Sequence, residues 1–150
     1  MSTNQTAKSL ADLTFNLLPI CHQKEARLAE AHGLYQAEFK CLRLFGSDEN
    51  MNNKEIAKRM NLSPSRLTRI IDGLVLKGYM QREIDQTDRR NMRVFLSKRG
   101  KTLTHNLAKA FVDIHSEILQ DIDAPQHKSL IVAMDNLNRA IEKWLQKPKY

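Results

Sequence analysis

Four arginines set in two close pairs, Arg66 with Arg69 and Arg89 with Arg90, are the side chains of this 150-residue chain best suited to holding an anion. A guanidinium forks onto paired acceptors, either two phosphate oxygens or the O6 and N7 edge of guanine. Pro64, Ser65 and Thr68 accompany the first pair, and Lys54 lies one short segment upstream. Ser65 and Thr68 can bond phosphates or base edges, and Arg66 is the first choice for base readout. An arginine at the tip of a loop suits a narrow minor groove, where negative potential is enhanced. Arg89 or Arg90 is expected to insert there while the other pairs with Asp88. Lys54, Lys58, Arg82 and Arg93 are phosphate candidates, so the partner these residues imply is double-stranded DNA.

The elements that must carry these side chains are announced by cap signals. Asn52 followed three residues later by Glu55 reads as a capping box opening a helix to Met60. Asn61-Leu62 gives a tight break. Ser63 then offers a second N-cap, and Pro64 fits the first helical position, where its missing N–H costs nothing. The second helix runs to Lys77 and stops at Gly78. Two short helices joined by such a turn form a helix-turn-helix, whose second helix can enter a major groove. Its inward residues are expected to be Leu67, Ile71 and Leu74, packing on Ile56 and Met60. Beyond Gly78 the period changes to two: Tyr79–Ile84 and Arg93–Leu96 read as a hairpin around a polar, basic loop. The fold class is therefore mainly α with a small β wing.

Charge follows the same division. The net charge is +7, but residues 51–105 alone carry 13 Lys and Arg against 5 Asp and Glu, a balance of +8, while the rest of the chain sums to −1. The whole excess sits on the module that would neutralise phosphates. Cys21 and Cys41 are too few and too widely spaced for a disulfide scaffold, and are expected as reduced thiols. No run of about 18 apolar residues and no signal-like N-terminus is present, so no membrane is expected and the location implied is cytoplasmic.

Flanking helices complete the chain. Leu10, Leu13, Leu17, Cys21 and Leu28 recur at helical spacing, with a kink or split expected at Pro19 and a stop at Gly33. A helix from about Gln36 to Phe45 follows, with Leu34, Ala37, Cys41, Leu42 and Phe45 inward, and Gly46 to Asn50 reads as a loop. Ser97 caps a long helix reaching about Asp121. After Asp123-Ala124-Pro125, a last helix carries Leu130, Ile131, Met134, Leu137, Ile141 and Leu145. These ends hold more apolar surface than a small winged helix needs, which predicts a two-fold homodimer. The organisation expected is one domain over 1–150, with a winged-helix DNA-binding region at about 34–100 and dimerisation segments at about 8–32 and 101–147.

In this order of elements the chain resembles the MarR family, the multiple-antibiotic-resistance type of winged-helix regulator. The resemblance is carried by Gly33-Leu34-Tyr35-Gln36-Ala37-Glu38-Phe39, by Leu67-Thr68-Arg69-Ile70-Ile71-Asp72-Gly73-Leu74 and by Lys77-Gly78-Tyr79-Met80-Gln81-Arg82. Asp88-Arg89-Arg90 and Val94-Phe95-Leu96-Ser97-Lys98-Arg99-Gly100 extend it. It implies a homodimer placing a recognition helix in the major groove and a wing along the minor groove, in most relatives to repress a promoter through a pseudo-palindrome. It also implies that Arg69 contacts phosphate and that an effector releases the DNA. His22, Arg27 and Tyr35 are the candidate lining of a small-molecule pocket. Cys21 is the candidate redox thiol, although the place that is cysteine in peroxide-sensing relatives aligns with Thr14. No metal site and no cofactor are expected. Winged helices also serve as protein adaptors or sequence-blind architectural DNA binders, and the arginine-rich recognition face argues against the adaptor. With no phosphate-binding glycine loop, paired catalytic carboxylates or nucleophile with an evident base, an enzyme is not expected.

Overall fold

The computed structural model describes residues 1–48, 50–88 and 90–149. Its elements are α1 (Thr3–Ala31), α2 (Gln36–Phe45), β1 (Asn50–Asn52), α3 (Asn53–Met60), α4 (Pro64–Leu76), β2 (Met80–Ile84), β3 (Met92–Leu96), α5 (Lys98–Gln120), a 3-10 turn (Ala124–Gln126) and α6 (His127–Leu145). The chain divides into two compact units, Met1–Lys109 and Ala110–Tyr150. The second holds the end of α5, the 3-10 turn and α6. The first holds everything else.

Local chemistry explains most boundaries. The Ser2 side chain accepts from the Gln5 N–H to open α1. At its end Gly33 takes φ 69° and the Leu34 N–H closes onto the Ala29 carbonyl, a left-handed cap that glycine adopts without Cβ strain. The split expected at Pro19 does not occur: α1 is continuous, and Pro19 sits on an exposed stretch where water can serve the carbonyl it leaves without a donor.

Asn52 caps α3 by accepting from the Lys54 N–H at 2.8 Å. The reciprocal half of the expected capping box is replaced, because Glu55 turns to Arg59 one helical turn on, at 2.8 Å. Asn61, at φ 54°, ends α3 in the left-handed region that asparagine tolerates. Ser63 then caps α4, accepting from the Arg66 N–H at 3.3 Å, with Pro64 in the first turn.

The sheet order is β1-β3-β2, antiparallel throughout. The hairpin pairs Met80 with Leu96 and Ile84 with Met92. β1 runs from the last residue of the expected Gly46–Asn50 loop to the Asn52 cap. Asn50-Met51-Asn52 is too short and polar to show a period, and it becomes a strand only because β3 offers its free edge, pairing Met51 with Val94.

Among the described residues every buried apolar one lies between Leu28 and Leu107. Phe39, Cys41, Leu42 and Phe45 of α2 form its middle, with Ile56 of α3, Leu74 of α4 and Val94 of β3 packed around them. Ala37, expected inward, is only half-buried, and so is Met60. The base of the wing is locked to α5 at Gly100, where a Cβ would fall 2.0 Å from the Tyr79 carbonyl oxygen. Beside it the Ser97 hydroxyl donates to the Gly78 carbonyl and accepts from the Gly100 N–H.

Candidate nucleic-acid interface

Helix α4 has two chemically opposite faces. Leu67, Ile71 and Leu74, spaced for one side of the helix, are buried. Pro64, Ser65, Arg66, Thr68 and Arg69 are all exposed. Among the described residues neither Arg66 nor Arg69 is paired with a carboxylate, so both guanidinium forks are available. Thr68 donates its hydroxyl proton to the Pro64 carbonyl at 2.8 Å, which leaves its oxygen to accept. The Ser65 hydroxyl lies 3.4 Å from that of Ser63. The exposed residues cluster in the first two turns, where the helix dipole favours an anion.

The wing is stiffened at its tip by two aspartates. Asp85 accepts from the Thr87 hydroxyl at 2.7 Å and the Thr87 N–H at 3.0 Å, and these bonds hold its carboxyl below the usual range. Asp88 accepts from the main-chain N–H of Arg90 at 3.0 Å and from the Asn91 amide at 3.4 Å. The link between Arg90 and Asp88 is thus a main-chain one, and the Arg90 side chain is exposed. Arg89 lies outside the described residues.

Not every predicted phosphate candidate is free. Arg82 of β2 forms an ion pair with Asp72 of α4, and this pair braces the wing against the second helix. Lys54 and Lys58 are exposed on α3, and Arg93 is exposed on β3. A cleft of about 230 Å³ lies between α3, α4 and the hairpin, with Leu67, Ile71 and Met92 inside and Lys54 and Arg82 at its polar parts.

One buried charge escaped sequence reasoning. Glu38 of α2 is 3% exposed. Its Oε1 accepts from the Tyr35 N–H at 2.9 Å and from Lys77 Nζ at 2.5 Å. Glu38 stands three residues after the N-cap Tyr35, the capping-box position, and that was the available signal. Its partner 39 residues away had none.

Of the candidate effector residues, His22 and Tyr35 meet at Gln36, which lines the cleft beside Tyr35, while Arg27 does not line it. His22 touches Gln36, whose amide lies 3.4 Å from its Nδ1 and donates to its carbonyl at 3.2 Å. Tyr35, 76% exposed, borders a shallow surface cleft with Gly33, Glu30 and Lys77, and the Lys77 ammonium stands 4.7 Å from its ring centre. Arg27 is exposed on α1 and, five residues from His22, projects from a different side of the helix. Cys21 is half-buried. Cys41 is fully buried, and burial, helped by the charge of Glu38, pushes its thiol up to about 12, so it is a core group. Among the described residues no three His, Cys, Asp or Glu side chains converge as metal ligands, and no helix is long and apolar enough to cross a membrane.

Known proteins align with this arrangement. Residues 34–92 match the model of the MarR family. The HTH-type transcriptional regulator SarZ of Staphylococcus haemolyticus is 28% identical over 111 residues, covering 74% of this chain and 69% of the relative. The HTH-type transcriptional repressor YetL of Bacillus subtilis is 26% identical over 104 residues, covering 68% and 62%. Among solved structures, reduced AbfR bound to DNA superposes with a TM-score of 0.67 at 16% identity, covering 98% of this chain and all of that one.

Proposed function

The chain belongs to the MarR family of winged-helix regulators, and from that premise we propose that it binds duplex DNA sequence-specifically as a homodimer and represses transcription until an effector releases it. The observation that carries the reading is the two-faced α4: a buried Leu67-Ile71-Leu74 stripe holds the helix, and exposed Arg66 and Arg69 stand on its free face. In this reading Arg66 reads a base edge and Arg69 binds phosphate, with Ser65 and Thr68 fixing register. Lys54 adds a phosphate contact. The wing carries Arg90, with Arg89 beside it in sequence, toward the adjacent minor groove. The DNA complex of AbfR and the repressor YetL support the same assignment.

Dimerisation falls to the terminal helices, at about 8–32 and 101–147, because their apolar side chains are exposed in the single chain: Leu13 and Phe15 on α1, Ile131 and Trp144 on α6. Two subunits then present two recognition helices to a two-fold site. Tyr35 is the member of the effector set with a cleft beside it, and the release is by a small molecule or another effector.

Selection of bound sequences from a random duplex library at physiological salt tests the proposal. The expected product is a two-fold motif with half-site centres about one helical turn apart. Enrichment without a motif would replace it with sequence-blind architectural binding, and no enrichment would leave an adaptor role instead.

A further inference from the structure

An ion pair with one buried member seldom adds net stability, since desolvating that charge offsets most of the attraction. Glu38 and Lys77 nevertheless form one at the junction of three elements. Lys77 caps the C-terminus of α4, and its ammonium donates both to Glu38 of α2 and, at 3.1 Å, to the Gly33 carbonyl in the turn between α1 and α2. Glu38 in turn holds the Tyr35 N–H, so its carboxylate is pinned from two sides. Its other oxygen lies where residue 73 would place a side chain: a Cβ on Gly73 would come within 2.6 Å of Glu38 Oε2. Glycine is a poor choice inside a helix, and here its bare backbone is what admits the carboxylate against α4.

We infer that the Glu38–Lys77 pair, seated on Gly73, is a positioning device that fixes the angle of the recognition helix to the α1–α2 corner. The inference rests on the proposed reading of α4 as the DNA-reading helix. From Lys77 to Arg66 is about 16 Å along a helix axis. A tilt of about 10° at the tethered end would therefore carry Arg66 by about 3 Å, enough to break any base contact it makes. The pair acts through Arg66 and Arg69 and touches no DNA itself. Because α1 belongs to the segments assigned to dimerisation, the angle it sets is also the separation between the two reading helices. Spacing between half-sites is the property it controls.

The test uses the full chain and the duplex motif selected by it, together with duplexes carrying one base pair more or fewer between half-sites. Wild type is expected to prefer its own spacing by about tenfold or more. The double variant Glu38→Gln with Lys77→Met removes both charges, so no lone ion is left buried. It is expected to keep its melting temperature and helical content but to bind the three spacings within about threefold of one another. Lys77→Arg, which keeps the charge, should retain the preference. A double variant that folds and keeps the wild-type spacing preference would overturn the inference. Should the double variant fail to fold, Gly73→Ala, which displaces the carboxylate while leaving both charges, is read by the same preference and decides the matter in the same way. Failure of wild type to select any motif is a different result, because it removes the DNA-reading premise and the inference with it.

Discussion

The segment from Leu28 to Leu107 and the helices outside it are built from similar apolar residues, yet they end in opposite states. On α4, Leu67, Ile71 and Leu74 recur on one side and are 2%, 4% and 0% exposed. On α6, Ile131, Met134, Ile141 and Trp144 recur with comparable spacing and are 62%, 40%, 44% and 52% exposed. One region finishes its core with its own residues. The other leaves its apolar side chains exposed, and apolar surface in water is costly at about 25 cal/mol per Å². In the proposed dimer the contrast becomes a division of labour, with the reading head complete in one chain and the terminal helices meeting a second copy.

Removing α6 is the largest test of that division. A chain ending after Pro125 keeps every residue of the buried core, so its circular dichroism should still show a folded winged helix. Sedimentation equilibrium should find a monomer. Its affinity for the full two-fold site should fall by about 10³-fold or more, toward non-specific binding. A truncated chain that remained dimeric, or bound the full site as the intact one does, would break the comparison.

Within the reading head, two leucines two residues apart sharpen it. Leu74→Ala should cost about 2–5 kcal/mol in urea denaturation, because Leu74 is fully buried. Leu76→Ala should stay within about 0.5 kcal/mol, since Leu76 is 90% exposed. On α6, Ile141→Ala should behave differently from both: its cost should grow with protein concentration, as expected of a residue buried only in the dimer. A concentration-independent cost would place Ile141 in a finished core.

Much of this was legible beforehand for an identifiable reason. The spacing of Leu67, Ile71 and Leu74 and the caps at Asn52, Ser63 and Ser97 are local, and local chemistry decided them. The free face of α4 followed from the same periodicity. What could not be read was set by partners far along the chain. β1 exists because β3 has an open edge, Arg82 is held by Asp72, and Glu38 meets Lys77 only once α2 and α4 pack. Pro19 shows the reverse case: a residue that forbids one hydrogen bond did not divide a 29-residue helix with many others.

The two arginine sites differ by smaller amounts. Arg66→Ala should relax base preference at one position of each half-site by about 1–3 kcal/mol, seen in competition binding against point-mutated duplexes. Arg90→Ala should leave that preference intact and reduce the slope of log affinity against log salt by about one unit. Were Arg66→Ala to change only the salt slope, its role would be electrostatic and base readout would fall to its neighbours.

The smallest test uses the cysteine of the finished core. Cys41 sits in the finished core, with its thiol pushed from 9.0 to about 12 by burial and by Glu38. A group whose ionisation is raised on folding contributes stability that is whole below its unfolded value and is lost as pH climbs toward the folded one. Unfolding free energy should therefore decline from about pH 9 upward, by about 1 kcal/mol over the first pH unit, because only the unfolded chain can ionise that thiol there. Cys41→Ala should remove this part of the alkaline slope. If Cys41→Ala left the alkaline slope unchanged, that thiol would ionise in the folded chain as it does in the unfolded one, and the core around α2 would have to be open to water there.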